Sequence, residues 1–286
     1  MPEMGVAQPQ PETPLGFHDS ETGETKPVVS SGGARSVGVM TTNHTGGSAG
    51  LPDLWLHEEV TLLALAEEKG TVETGSWYPY VAAGAVLAEL MLRQRIRIQT
   101  EAEAKATGTW YNRKPRLVVT DATPMRDALI DDWLRKISEA EKLKPAGDWL
   151  SKIANSRGLQ SAASSRLVEM EILEQRKDKI LWVFNRVRYP EKDGAPEEEI
   201  RRRLERAIFE DDIEVDARTI VLLSLTKNGE FLPALFDKKR LKTRKQHLEK
   251  LIAGEALGTA TAELIEAIQV GIVVTITSAA AVTVAS

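Results

Sequence analysis

Glu58-Glu59-Val60-Thr61-Leu62-Leu63-Ala64-Leu65, followed by Glu67-Glu68-Lys69-Gly70, decides how the rest of the chain is read. Two acids in a first turn lead into a leucine-rich apolar stripe, and Lys69-Gly70 supplies a C-terminal cation and a stop. The pattern predicts a helix from Asp53 or His57 to Glu68. A Gly/Trp/Tyr/Pro segment, Gly75 to Tyr80, crosses to a second helix, Ala82 to Leu92, that runs straight into Arg95-Ile96-Arg97-Ile98. Alternation there puts both arginines on one face and both isoleucines on the other, which predicts a half-buried strand. Arg116-Leu117-Val118-Val119-Thr120-Asp121 is its expected partner, across a long polar loop containing Trp110, Tyr111, Arg113 and Lys114.

Further helices follow from the same periodicity. Asp121-Ala122-Thr123-Pro124 is a turn and helix start, and Asp127 to Ile137 places Ile130, Leu134 and Ile137 on one face. A short helix spans Asp148 to Asn155, and a second runs from Gly158 to about Glu171. Ile172 to Gln175 and Ile180 to Phe184 read as a β-hairpin with Arg176-Lys177-Asp178-Lys179 at its charged tip. Pro196 opens an acidic-started helix to about Phe209. Asp216 to Leu225, a basic helix Lys238 to Ile252, and a last helix from Thr261 complete the set.

The final 20 residues, Ala267 to Ser286, carry no charge. That length is about enough to span a bilayer. Its Ala, Thr, Ser and Gly content and the lack of flanking cations favour a helix buried in protein. The fold class is therefore mainly α: a single multi-helix domain over residues 51–286 with small β-hairpins and a buried C-terminal helix. Residues 1–50 hold nine Gly and five Pro without apolar periodicity, which predicts a disordered tail. The start of the chain has neither a basic n-region nor an apolar h-region, so it does not read as a signal peptide.

Composition removes several chemistries. The chain has no cysteine, so thiol nucleophiles, thiolate metal sites and disulfides are absent. Of its four histidines, His18 and His44 lie in the tail, and His57 and His247 read as solvated surface residues. Neither has ligand-spaced partners, so no metal and no cofactor is expected. No phosphate-binding Gly-rich loop and no nucleophile elbow occurs, and the adjacent acids Asp131-Asp132 and Asp211-Asp212 point in different directions on a helix. The residues do not read as an enzyme. Net charge is −5, but Met91–Leu117 and Phe236–Lys250 each carry seven Lys/Arg against two acids, giving basic faces on an acidic chain.

The first helix, the second helix and its basic strand together resemble the opening of the Golgi phosphoprotein 3 family, peripheral membrane proteins that bind phosphoinositide and sort glycosyltransferases. Further segments line up in order. Asp121-Ala122-Thr123-Pro124-Met125-Arg126-Asp127-Ala128-Leu129-Ile130-Asp131 is similar to a family Thr/Ser-Pro-Thr-Gly-Asp segment. Leu167-Val168-Glu169 resembles its Leu-Val-Glu, Arg188-Tyr189-Pro190 its post-hairpin Pro motif, and Asp216-Ala217-Arg218-Thr219 its Asp-x-Arg-Thr helix.

The resemblance, from about Leu54 to Ser286, implies a peripheral membrane adaptor. Its partners would be an anionic, phosphoinositide-like phospholipid and a membrane-protein cargo, with homo-oligomerisation through the hairpin. The location implied is cytoplasmic and peripheral to a membrane. The family's headgroup pocket uses a tryptophan after the first helix, an arginine entering the second and two arginines three apart before Leu-Val-Glu. Those places fall near Thr74, on Ala83, and on Arg157 and Gln160, so Arg157 is retained and Trp77 is a displaced candidate. With Ala83 and Gln160 uncharged, selectivity for phosphatidylinositol 4-phosphate is not expected. These departures suggest a divergent member, and a bacterial one is the expectation.

Candidate headgroup-binding residues are Trp77, Arg157, Arg95 and Arg97. Arg176, Lys177 and Lys179 are the candidates for membrane contact or self-association on the hairpin. The alternative is a winged-helix-like nucleic-acid-binding regulator, with the hairpin as wing. Its recognition helix, Leu159 to Glu171, would offer Ser161, Ser164, Ser165 and Arg166 as its one cation, beside Glu169 and Glu171, which makes nucleic acid the lesser reading.

Overall fold

The computed structural model describes residues 52–65, 77–111, 114–180, 184–255, 257, 259–273 and 276. The tail 1–50, the Lys69-Gly70 stop and residues 277–286 as read above lie outside the described residues.

Helix α1 (Leu56–Ala64) begins where the acids predict, with the Glu58 carboxylate accepting the Trp55 N–H at 2.8 Å. It ends four residues before the predicted Glu68, because Leu65 is already extended. All nine of its residues are buried, acids included, since α1 is packed among other helices rather than laid on a surface. Helix α2 (Tyr78–Leu92) is opened by Trp77 with Pro79 in its first turn, a position where proline loses no hydrogen bond. It is apolar all round and lies at the centre of the molecule.

Strand β1 (Ile96–Ile98), helix α3 (Glu101–Ala106) and strand β2 (Leu117–Val119) come next. β1 and β2 pair antiparallel as predicted, Arg97 opposite Val118. α3 is an addition to the predicted polar loop. The Thr100 hydroxyl accepts the Glu103 N–H and the Glu103 carboxylate accepts the Thr100 N–H, a capping box legible in Thr-x-x-Glu.

Helix α4 (Ala128–Ser138) is capped by Asp127, whose Oδ1 accepts the Ile130 N–H at 2.8 Å, and it buries Ile130, Leu134 and Ile137 as expected. α5 (Ala146–Ala154) starts against β2, the Ala146 N–H donating to the Pro115 carbonyl at 2.7 Å. α6 (Leu159–Glu169) follows a turn closed by Gly158 at φ +77°, a left-handed conformation that suits glycine.

The hairpin differs from the prediction. Strands β3 (Arg176–Ile180) and β4 (Phe184–Arg188) pair with Arg176 opposite Arg188 and Ile180 opposite Phe184. The basic tetrapeptide is thus in a strand rather than at a tip, and residues 181–183 lie outside the described residues. Ile172 and Leu173 are buried in the core, and Leu173 makes only an isolated antiparallel bridge to Glu191, so the continuous ladder starts at Arg176.

Helices α7 (Ala195–Phe209) and α8 (Ala217–Asn228, capped by Asp216) match their predictions. A short α9 (Leu232–Leu235) follows. The predicted basic helix is two, α10 (Lys238–Thr243) and α11 (Lys245–Ile252). The break is at Arg244, which is held against the end of α7 by bonds to the Ile208 carbonyl (2.9 Å) and Asp211 (2.7 Å). α12 (Thr259–Ile268) runs into a π-helical turn, Gln269–Val273.

The final segment packs into the core. Ile265, Ile268, Ile272 and Ile276 are buried, and Gly84 of α2 makes room for them. A Cβ at position 84 would stand 2.9 Å from Ile276 Cδ1 and 3.2 Å from Ile272 Cγ2. Among the described residues no helix is long and apolar enough to cross a membrane. The architecture is a mainly helical domain, α1, α5 and α8 packed on α2, with two small antiparallel strand pairs.

Candidate functional site

Trp77 sits at the start of α2, half-buried against the core. Arg157 lies exposed in the turn between α5 and α6, with no ion pair among the described residues. It follows the end of α5 that points away from β2. Trp77 likewise marks the end of α2 away from β1. Arg95 and Arg97 are at the other end of that helix, the Arg95 N–H donating to the Leu90 carbonyl at 2.8 Å. Fifteen residues of helix separate the two groups, about 22 Å along the axis.

The electrostatics divide the same way. Arg95 is paired with Asp121. Arg97 forks onto Glu103, at 2.7 and 2.5 Å, which holds that carboxyl down at about 2. On the hairpin, Arg176 pairs with Glu174 at 2.7 Å and Lys177 is exposed, while the Lys179 side chain is outside the described residues. Position 83 lies wholly inside the core, so an arginine there would be buried among α2's neighbours. Gln160 is half-buried in the first turn of α6.

A second constellation was missed by sequence reasoning. Arg218 of α8 reaches between α1 and α2, donating to Glu89 at 2.8 Å, to Glu59 at 3.3 Å and to the Leu54 carbonyl at 2.5 Å. Arg203 of α7 adds a bond to Glu59 at 2.8 Å, and Arg93 one to Glu89 at 2.9 Å. Glu89 also accepts the Leu56 N–H at 2.9 Å, capping α1 from a different helix. Burial alone would raise the Glu89 pKa, but Arg218, that N–H and Arg93 outweigh it and hold it below the usual range. The available signal was Glu89, the single charge of the apolar helix α2, and Arg218 in the first turn ahead of the apolar run of α8.

Beside this network His57 corrects the surface reading: it is 1% exposed, with Nε2 3.9 Å from Asp127. Burial is the main cause that lowers its pKa to about 4, against the opposite pull of Asp127 and Glu89. Burial likewise pushes Glu58 up to about 7, although the Trp55 N–H and Arg166 (2.5 Å) oppose it. One ligand atom each of His57, Glu58 and Asp127 lies within 4.8 Å of the others, a spacing that could hold a cation. Arg166 already supplies positive charge to Glu58 and Asp127 already caps α4, so the three residues read as a buried polar joint between α1, α4 and α6.

Comparison with known proteins bears on this architecture. The family model described as Golgi phosphoprotein 3 (GPP34) matches residues 56–268, from the first residue of α1 to the last of α12. The chain belongs to that family. No curated protein matches it.

Proposed function

We propose that this member of the Golgi phosphoprotein 3 family is a non-enzymatic peripheral membrane adaptor that binds anionic phospholipid headgroups at the Trp77 end of α2 and holds a membrane-protein cargo. The observation that carries the lipid half is the contrast between Arg157 and the strand arginines. Arg95 and Arg97 have carboxylate partners, so their charge is largely spent within the protein. Arg157 is exposed with no carboxylate partner among the described residues, so its charge can meet a headgroup phosphate. Trp77 adds an indole of the kind that anchors at a membrane interface.

Specific recognition of phosphatidylinositol 4-phosphate is not part of this reading. Ala83 is in the core and Gln160 is neutral, so two charge-assisted bonds are missing, each worth about 1.5–3 kcal/mol. The hairpin remains the proposed surface for self-association. Nucleic-acid binding is disfavoured because Arg166, the one cation of its recognition helix, is engaged with Glu58.

The test is vesicle flotation over a salt series beside a DNA shift assay. Binding to anionic but not zwitterionic vesicles, weakening with salt, supports the adaptor. A salt-dependent DNA shift without vesicle binding supports the regulator.

A further inference from the structure

Besides Arg157, a second group of cations without ion pairs among the described residues lies on α10. Phe236–Lys250 carries seven Lys/Arg. Arg240 pairs with Glu205, Arg244 with Asp211 and Lys245 with Glu249. Lys238, Lys239 and Lys242 are exposed and have no ion pair among the described residues. At 100° per residue these three fall within about 100° of arc on α10. Leu241, on another side of the helix, packs against the core, and Arg240 is turned towards α7 over the Phe209 ring at 4.1 Å.

The start of α10 lies beside the end of α8, Lys238 sharing a cleft with Lys227. α8 ends at Gly229, where a Cβ would stand 2.4 Å from Val81 Cγ2, one turn into α2 from Trp77. An open cleft of about 700 Å³ then lies between the end of α8 and α9–α11, lined by Lys227, Lys238, Pro233, Leu241 and Glu230 among others. Pro233 and Ala234 are exposed at its rim. Exposed lysines without ion pairs among the described residues, beside Pro233 and Ala234, complement a surface that is negatively charged outside and apolar beneath.

We infer that the α10 face of Lys238, Lys239 and Lys242, with the adjoining Lys227 cleft, is a second contact surface for an anionic bilayer. The inference rests on the adaptor reading. It adds that a diffuse lysine face besides Trp77 and Arg157 supplies much of the attraction. Lysines near an anionic leaflet attract it independently of headgroup identity, and the attraction fades within a Debye length.

The experiment compares the full chain with Lys238→Gln/Lys239→Gln/Lys242→Gln, and with Lys114→Gln/Lys142→Gln/Lys192→Gln, an equal charge change made elsewhere. Each is titrated with phosphatidylserine-containing and pure phosphatidylcholine vesicles over a salt series, after circular dichroism confirms folding. The α10 variant is expected to bind the anionic vesicles on the order of tenfold more weakly at low salt, with a shallower salt dependence, while the control variant stays within about twofold of the unmodified chain. Unaltered binding by the α10 variant, or an equal loss in the control, overturns this inference and leaves the adaptor standing. Failure of the unmodified chain to bind anionic vesicles overturns both.

Discussion

Arg218 in α8 donates to both carboxylate oxygens of Glu89 in α2, at 3.1 and 2.8 Å, across 129 positions of sequence. The same guanidinium holds Glu59 of α1, so one side chain joins α1 and α8 to the central α2. Arg218→Met therefore leaves two buried acids short of their partner. Removing one side of a buried pair costs about 3–5 kcal/mol, and we expect a loss of that size in urea denaturation. The exposed pair Arg176–Glu174 is the contrast: Arg176→Ala should change stability by less than about 0.5 kcal/mol. Equal effects would mean that the Arg218 network does not join the helices.

His57 and Glu58 give opposite pH dependences. The His57 pKa is lowered on folding from 6.5 to about 4, so stability is lost as pH falls through that window, where the unfolded chain takes up the proton first. The Glu58 pKa is raised from 4.5 to about 7, so stability is lost as pH rises through that window. The two slopes oppose each other between pH 4.5 and 6.5. His57→Gln should gain stability relative to the unmodified chain as pH falls from 6.5, and Glu58→Gln should gain it as pH rises from 4.5. Urea midpoints across that range check the signs; parallel curves for all three proteins would refute the assignment.

The seating of the final segment on α2 is tested at Gly84. Gly84→Val places methyl groups where Ile276 and Ile272 already stand. Overpacking of this kind costs about 1–3 kcal/mol. The thermal midpoint should fall, and hydrogen exchange should quicken in residues 259–276. An unchanged midpoint with unchanged exchange would show that the segment does not rest there.

The parts of this fold written in local pattern were legible in the sequence. Ile130, Leu134 and Ile137 announced the buried face of α4, and Arg95-Ile96-Arg97-Ile98 announced β1 with its partner. The parts set by distant partners were not. His57 and the acids of α1 look solvated until Arg218, Arg203 and Arg166, all more than a hundred residues away, are folded against them. The hairpin register depended on Ile172 and Leu173 being taken by the core, and the break between α10 and α11 on Arg244 reaching α7. Of the candidate site, Trp77 is half-buried against the core and Arg157 is exposed. The pairing of Arg95 with Asp121 and of Arg97 with Glu103 was foreseeable only in part, from the Thr100–Glu103 capping box.

The central claim, that the Trp77 end of α2 meets an anionic membrane, is tested most directly by vesicle flotation of Trp77→Ala and Arg157→Ala over a salt series. A cation's contribution is screened by salt and an interfacial indole's is not. Arg157→Ala should reduce binding most at low ionic strength, Trp77→Ala at every ionic strength. Vesicles carrying phosphatidylinositol 4-phosphate should bind no better than others of equal charge. Binding that survives both substitutions unchanged, or that appears only with phosphatidylinositol 4-phosphate, would contradict the account.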